Sequence, residues 1–221
     1  PTQHGGSDEI TAGYPGVLAR RMKERGWPVT LFLNGAAGNI HPGDVRGLRP
    51  EMGIDETGTA LADRVSEALE GMNFDGDVRL RTASKTVEIP NRRPTADELE
   101  GKFVGGQYFW DPKNFAEHME AMKKRIAEKP FEIAEVQVHR FNDIAFAAVP
   151  CELFVQWGLQ IKEKSWPVHG LVVSYANGRL GYIPTAEAFR RGGYEPTGNL
   201  RDPGSGGILA EAAVDLIRWG D

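Results

Sequence analysis

The chain has 221 residues, 40% of them hydrophobic and 26% charged, with a formal net charge of -5. That length and balance suit a globular protein with its own core, built as one domain or at most two small ones. The acidic balance argues against a nucleic-acid partner, which would need a basic face. The single cysteine, Cys151, excludes an intrachain disulfide, and no apolar run is long enough for a transmembrane segment.

No signal-peptide pattern is visible. The chain opens Pro1-Thr2-Gln3-His4 without an initiator Met, so upstream sequence is expected to be missing. Tyr14 to Gly26 then reads as a helix, with Pro15 suited to a first turn and Gly26 to a stop. Pro28 to Leu33 is a short apolar run that predicts a buried strand. It runs into the glycine-rich turn Asn34-Gly-Ala-Ala-Gly-Asn-Ile-His-Pro42. Asp55 to Met72 predicts a second helix, with Asp55 as its cap and an apolar stripe through Leu61, Val65 and Leu69.

Val78 to Ile89 alternates like a half-exposed strand. Residues 90–110 are polar and proline-marked, and residues 90–129 as a whole read as a possible insertion or lid. Asp111 to Glu128 is an amphipathic helix whose Lys123-Lys124-Arg125 lies on a solvated face beside acidic residues. Strands are predicted at Glu132 to Arg140 and Ile144 to Val149, joined by a turn at Phe141-Asn142-Asp143. Glu152 to Lys164 predicts a helix, Leu171 to Ala176 a buried strand, and Ala186 to Arg191 and Ile208 to Trp219 two more helices. Strands alternating with helices indicate an α/β fold. The hairpin implies a layered arrangement with a mixed β-sheet flanked by helices.

Three strand ends carry unusual polar groups. The glycine turn ends one strand, a usual place for ligands in open α/β sheets, although a tight structural turn reads equally well. It lacks the Gly-Lys-Ser/Thr ending of a phosphate loop. Val149-Pro150-Cys151-Glu152 places a carboxylate at the first turn of a predicted helix, where the helix dipole alone would favour it. Ser174 to Thr185, followed by Gly192-Gly193-Tyr194-Glu195, brings Tyr182 and Tyr194 to either side of a short helix. Packed aromatics with satisfied hydroxyls are the plainer reading there. His118, His139 and His169 read as structural or exposed. No His-Glu-x-x-His motif, cysteine pair or Gly-x-Ser-x-Gly elbow is present.

Taken in order, His4, Tyr14-Pro15-Gly16, Leu31 to Pro42, Val149-Pro-Cys-Glu152, Ala176-Asn-Gly178, Gly181-Tyr-Ile-Pro-Thr185 and Gly193-Tyr-Glu195 resemble the neutral/alkaline (non-lysosomal) ceramidase family. The closer likeness is to its shorter bacterial relatives of unassigned substrate. The resemblance runs from residue 4 to about residue 215 and corresponds to the latter part of that family's catalytic domain. Pro90 to Lys129 has no counterpart in it. It implies a zinc amidase, with Zn2+ held by His4, Glu152 and Tyr182. A further zinc histidine and an active-site arginine would fall before Pro1, and the family's C-terminal immunoglobulin-like domain has no counterpart here.

By the same resemblance Tyr194 supports the substrate carbonyl, and Asn34, Gly38 and Asn39 line the substrate cleft. One departure concerns chemistry. Where the family reads Gly-Asp-Val-Ser-Pro, with the serine a proposed nucleophile, this chain reads Gly38-Asn39-Ile40-His41-Pro42. A serine-acyl route is therefore closed at this position. His41 could act as general base toward a water, serve as a further metal ligand, or be a plain turn residue. The implied activity is hydrolysis of an amide or related acyl bond in a small-molecule or lipid-like substrate. The alternative is a non-catalytic domain of the same fold that binds a small ligand. Oligomeric state is not set by these residues.

Overall fold

Four segments of apolar alternation pair into one mixed sheet. The computed structural model describes residues 10–41, 43, 46–48, 50–74, 76–102 and 111–219. The sheet has the order β1(Leu80–Pro90), β2(Phe131–Phe141), β3(Ile144–Ala148), β5(His169–Val173). Pairs β1/β2 and β2/β3 are antiparallel, and β3/β5 is parallel. Asn142, at a φ of 55°, makes the tight turn between β2 and β3, a conformation Asn adopts more readily than most residues, and its Oδ1 accepts the Arg79 N–H at 2.9 Å. The parallel step from β3 to β5 is bridged by α5(Val155–Lys164), as a same-direction crossover requires. A second, two-stranded parallel sheet pairs β4(Glu152–Leu153) with β6(Tyr182–Ile183).

Helix α7(Ser205–Arg218) packs on β1, β2, β3 and α5. Its Leu209, Ala213 and Ile217 are fully buried with Val136, Ala145, Ala147, Leu153 and Ile161 in the main core. The result is the expected α/β architecture, a mixed sheet flanked by helices. The chain divides into two compact units. One holds the described residues of Pro1–Leu33 and His41–Asp77, and the other those of Asn34–Ile40 and Val78–Asp221. In the first, α1(Gly13–Glu24) and α2(Ile54–Glu70) meet through Leu18, Met22 and Ala62.

Several expectations need correction. Pro28 to Leu33 forms no strand and pairs with none among the described residues, and Val29 and Leu31 are 77% and 82% exposed. An apolar run becomes a buried strand only when neighbours take up its backbone groups. The cap of α2 is Gly53, while Asp55 sits in the first turn and pairs with Arg20 at 3.1 Å. Helix α7 starts at Ser205, three residues earlier than its apolar stripe indicates. Packing requires one glycine in its first turn: a Cβ on Gly206 would collide with the Trp157 indole.

The described residues of 90–129 hold two helices. α3(Ala96–Leu99) is closed by a capping box between Thr95 and Glu98, and α4(Pro112–Glu128) is capped by Asp111. Phe115, Met119, Met122 and Ile126 of α4 pack together with Leu99 and Leu200.

Candidate functional site

The site begins where β3 ends. Sequence pattern places Glu152 in the first turn of a helix, but the structure places it in β4, and α5 begins only at Val155. The Glu152 N–H donates to Gly181 O at 2.9 Å and is thereby committed to strand pairing. Register then decides exposure. Glu152 stands opposite Tyr182, and Leu153 opposite Ile183. Leu153 and Ile183 are 0% and 1% exposed, anchored in the core. Side chains alternate across a strand, so burying that apolar pair turns Glu152 and Tyr182 together to the other face.

Two more tyrosines join them. The Tyr194 ring lies edge-on to Tyr182, with centroids 6.0 Å apart and an interplanar angle of 78°. The Tyr175 phenol donates to Glu152 Oε2 at 3.2 Å. Tyr175 ends the β5 segment because its backbone turns to a φ of 61°, with its N–H given to Cys151 O. The predicted strand to Ala176 therefore stops at Val173.

The glycine turn supports this arrangement from behind. A Cβ on Gly38 would run into the Glu152 carbonyl, so only glycine allows the turn to approach β4 this closely. Gly38 N–H donates to Leu153 O at 2.8 Å. The cap residue of α5, Phe154, offers no side-chain acceptor, and Asn39 supplies one from a distance. Its Oδ1 accepts the Val155 N–H at 2.8 Å, and its Nδ2 donates to Gln156 Oε1 at 3.0 Å. Asn34 O accepts from the Ser174 N–H at 2.8 Å, next to Tyr175. Thus Asn34, Gly38 and Asn39 each hold a segment that carries a site side chain.

A cavity of about 280 Å³ opens beside the Tyr182–Tyr194 pair, walled also by Leu180, Thr197, Asn199 and Leu200. Its wall is pinned by buried polar groups. Asn199 donates to Tyr182 O at 2.9 Å and accepts from the Arg201 N–H at 2.7 Å. Arg92 donates to Asn199 O at 2.8 Å, and its guanidinium forks onto both oxygens of Glu98 at 2.9 and 2.8 Å. Burial alone would raise the Glu98 carboxyl; the bonds from Arg92 and Thr95 outweigh it and hold the group below the usual range.

Burial, followed by the charge of Glu152, pushes the Tyr182 phenol up to about 12, and the same causes raise Tyr175. Both phenols therefore stay protonated and present O–H groups to the carboxylate. Burial also pushes the Cys151 thiol up, with Glu152 adding to it, which disfavours the nucleophilic thiolate.

Glu152 and Tyr182 offer hard oxygen donors on one strand face, a donor chemistry that fits zinc in kind. Among the described residues, no group of three or more His, Cys, Asp or Glu side chains is placed to hold a metal ion. His4 lies outside the described residues. His41 is exposed and belongs to the other unit, where its Nδ1 accepts the Gly43 N–H at 3.0 Å.

Two solved structures share this architecture over 98% of the chain. Neutral ceramidase from Pseudomonas aeruginosa matches with a TM-score of 0.61 at 16% identity, and a ceramidase complexed with C2 with a TM-score of 0.63 at 14%. The fold is ceramidase-like. The chain spans 42% and 43% of the length of those two proteins. No protein-family model and no curated protein matches the sequence.

Within this ceramidase-like fold, Tyr175 is the site residue that pattern reading passes over. Its segment, Ser174 to Thr185, is flagged by composition, but nothing in hydrophobic alternation marks a left-handed backbone at Tyr175.

Proposed function

We propose that this chain is a zinc-dependent hydrolase of an amide or related acyl bond. The observation that carries the reading is the in-register pair Glu152–Tyr182 on paired strands of a ceramidase-like fold, with Tyr194 packed against it. Glu152, Tyr182 and His4 are the residues that would hold the ion. Zinc in such a donor set lowers the pKa of water toward neutrality and polarises a carbonyl.

The chain's own groups supply the rest. Tyr194 donates a hydrogen bond to the substrate carbonyl oxygen as negative charge builds on it. His41 takes the proton of the attacking water, an assignment that rests on its place in the glycine turn. Asn34, Gly38 and Asn39 border the cleft and keep Glu152 in place. The cavity beside Tyr182 and Tyr194 receives a small amide or one end of a lipid-like substrate. The same cavity supports the alternative of a domain that binds a small ligand without cleaving it.

Hydrolysis of a panel of N-acyl amides separates the two. The hydrolase reading expects turnover that is lost to a chelator, restored by zinc and abolished in Glu152→Gln. Ligand binding without turnover, insensitive to chelator, would contradict it.

A further inference from the structure

The Tyr175 phenol is given a position that costs the backbone something. A non-glycine residue at a φ of 61° is uncommon, and for a bulky aromatic it is strained unless surrounding contacts impose it. Here three contacts do so. The Tyr175 N–H donates to Cys151 O at 3.2 Å, and the flanking N–H groups of Ser174 and Ala176 donate to Asn34 O and Val149 O at 2.8 and 3.1 Å. The side chain is spent on one bond, from its O–H to Glu152 Oε2 at 3.2 Å. The ring is otherwise half exposed, so it contributes little to the core that would explain the strain.

We infer that Tyr175 is a positioning residue: its hydrogen bond to Glu152 Oε2 fixes the carboxylate rotamer on the face it shares with Tyr182. This inference rests on the zinc reading above. Outer-shell hydrogen bonds of this type orient ligating carboxylates, and their loss costs about 10–100-fold in metal affinity. The strain is the counterpart of that role. The segment between β5 and β6 bends sharply to bring a phenol to Glu152, with Tyr182 across the strand pair. The carboxylate is thus flanked by two tyrosines, one opposite it in the sheet and one from the bend.

The test measures zinc affinity by competition with a chromophoric chelator, and the visible spectrum of the cobalt-loaded protein, for the protein at its native full length and its variants. Tyr175→Phe should bind zinc about tenfold or more weakly and shift the cobalt bands, while the melting temperature of the metal-free protein stays close to wild type. Tyr175→Gly relaxes the backbone and also removes the phenol; it should weaken zinc equally and keeps the test decisive if the Phe variant folds poorly. Unchanged affinity and spectrum in both variants, with Glu152→Gln abolishing binding, would overturn the role of Tyr175 and leave the zinc reading standing. Absence of zinc binding in wild type would overturn the zinc reading, and the role of Tyr175 would fall with it.

Discussion

Glu152 and Tyr182 stand opposite each other across a two-residue parallel strand pair, turned to one face because Leu153 and Ile183 beside them are locked in the core. Everything else in the site is arranged around that pair. Gly38 packs on its backbone, Asn39 caps the helix that follows, Tyr175 bonds the carboxylate, and Tyr194 meets the Tyr182 ring.

Gly38→Ala forces a methyl group into the Glu152 carbonyl. Backbone cannot yield as a flexible side chain can, so β4 must shift. The expected cost is about 1–3 kcal/mol, read from urea denaturation, together with a loss of metal affinity that exceeds the loss of stability. Wild-type stability in this variant would show that the close approach is not needed.

Asn39→Ala removes the acceptor from the Val155 N–H and should cost about 1 kcal/mol. Asn39→Asp keeps the acceptor and places a negative charge at the N-terminus of α5, so it should match or exceed wild type. Equal destabilisation by both substitutions would argue that the side chain matters for another reason.

The Arg92–Glu98 pair is buried, with side chains 9% and 10% exposed. Removing one partner strands the other charge, so Glu98→Ala should cost about 3 kcal/mol. The pH dependence follows from the lowered folded-state pKa of Glu98. Its contribution is fully present above the unfolded carboxyl value of about 4.3 and is lost as pH falls through the lower folded value. Urea midpoints of wild type and Glu98→Gln should therefore differ at pH 7 and converge in strong acid. A gap that persists there would mean the pair is held by packing alone.

How much of this was legible in the sequence depends on how far each feature reaches along the chain. The alternation of Phe131–Phe141 and the 3.6-residue stripe of Pro112–Glu128 are long local patterns, and both elements form within a residue or two of expectation. Glu152 was visible as a carboxylate after an apolar strand, but a two-residue strand has no periodicity of its own. Its pairing with Tyr182, thirty positions away, is set by the core contacts of Leu153 and Ile183. Tyr175 depends on a backbone bend that composition does not signal. Pro28–Leu33 failed for the opposite reason: its local pattern is strong, but a strand also needs a neighbour. Gly206 shows that a glycine cluster can open a helix when an indole occupies the space of its side chain.

The most direct measurement is the zinc content of the purified protein at its native full length, by elemental analysis, for wild type, Glu152→Gln and Tyr182→Phe. The account predicts close to one zinc per wild-type chain, none in Glu152→Gln and a clear deficit in Tyr182→Phe, with all three proteins folded by circular dichroism. Metal-free wild type, or full zinc retention in Glu152→Gln, would contradict it.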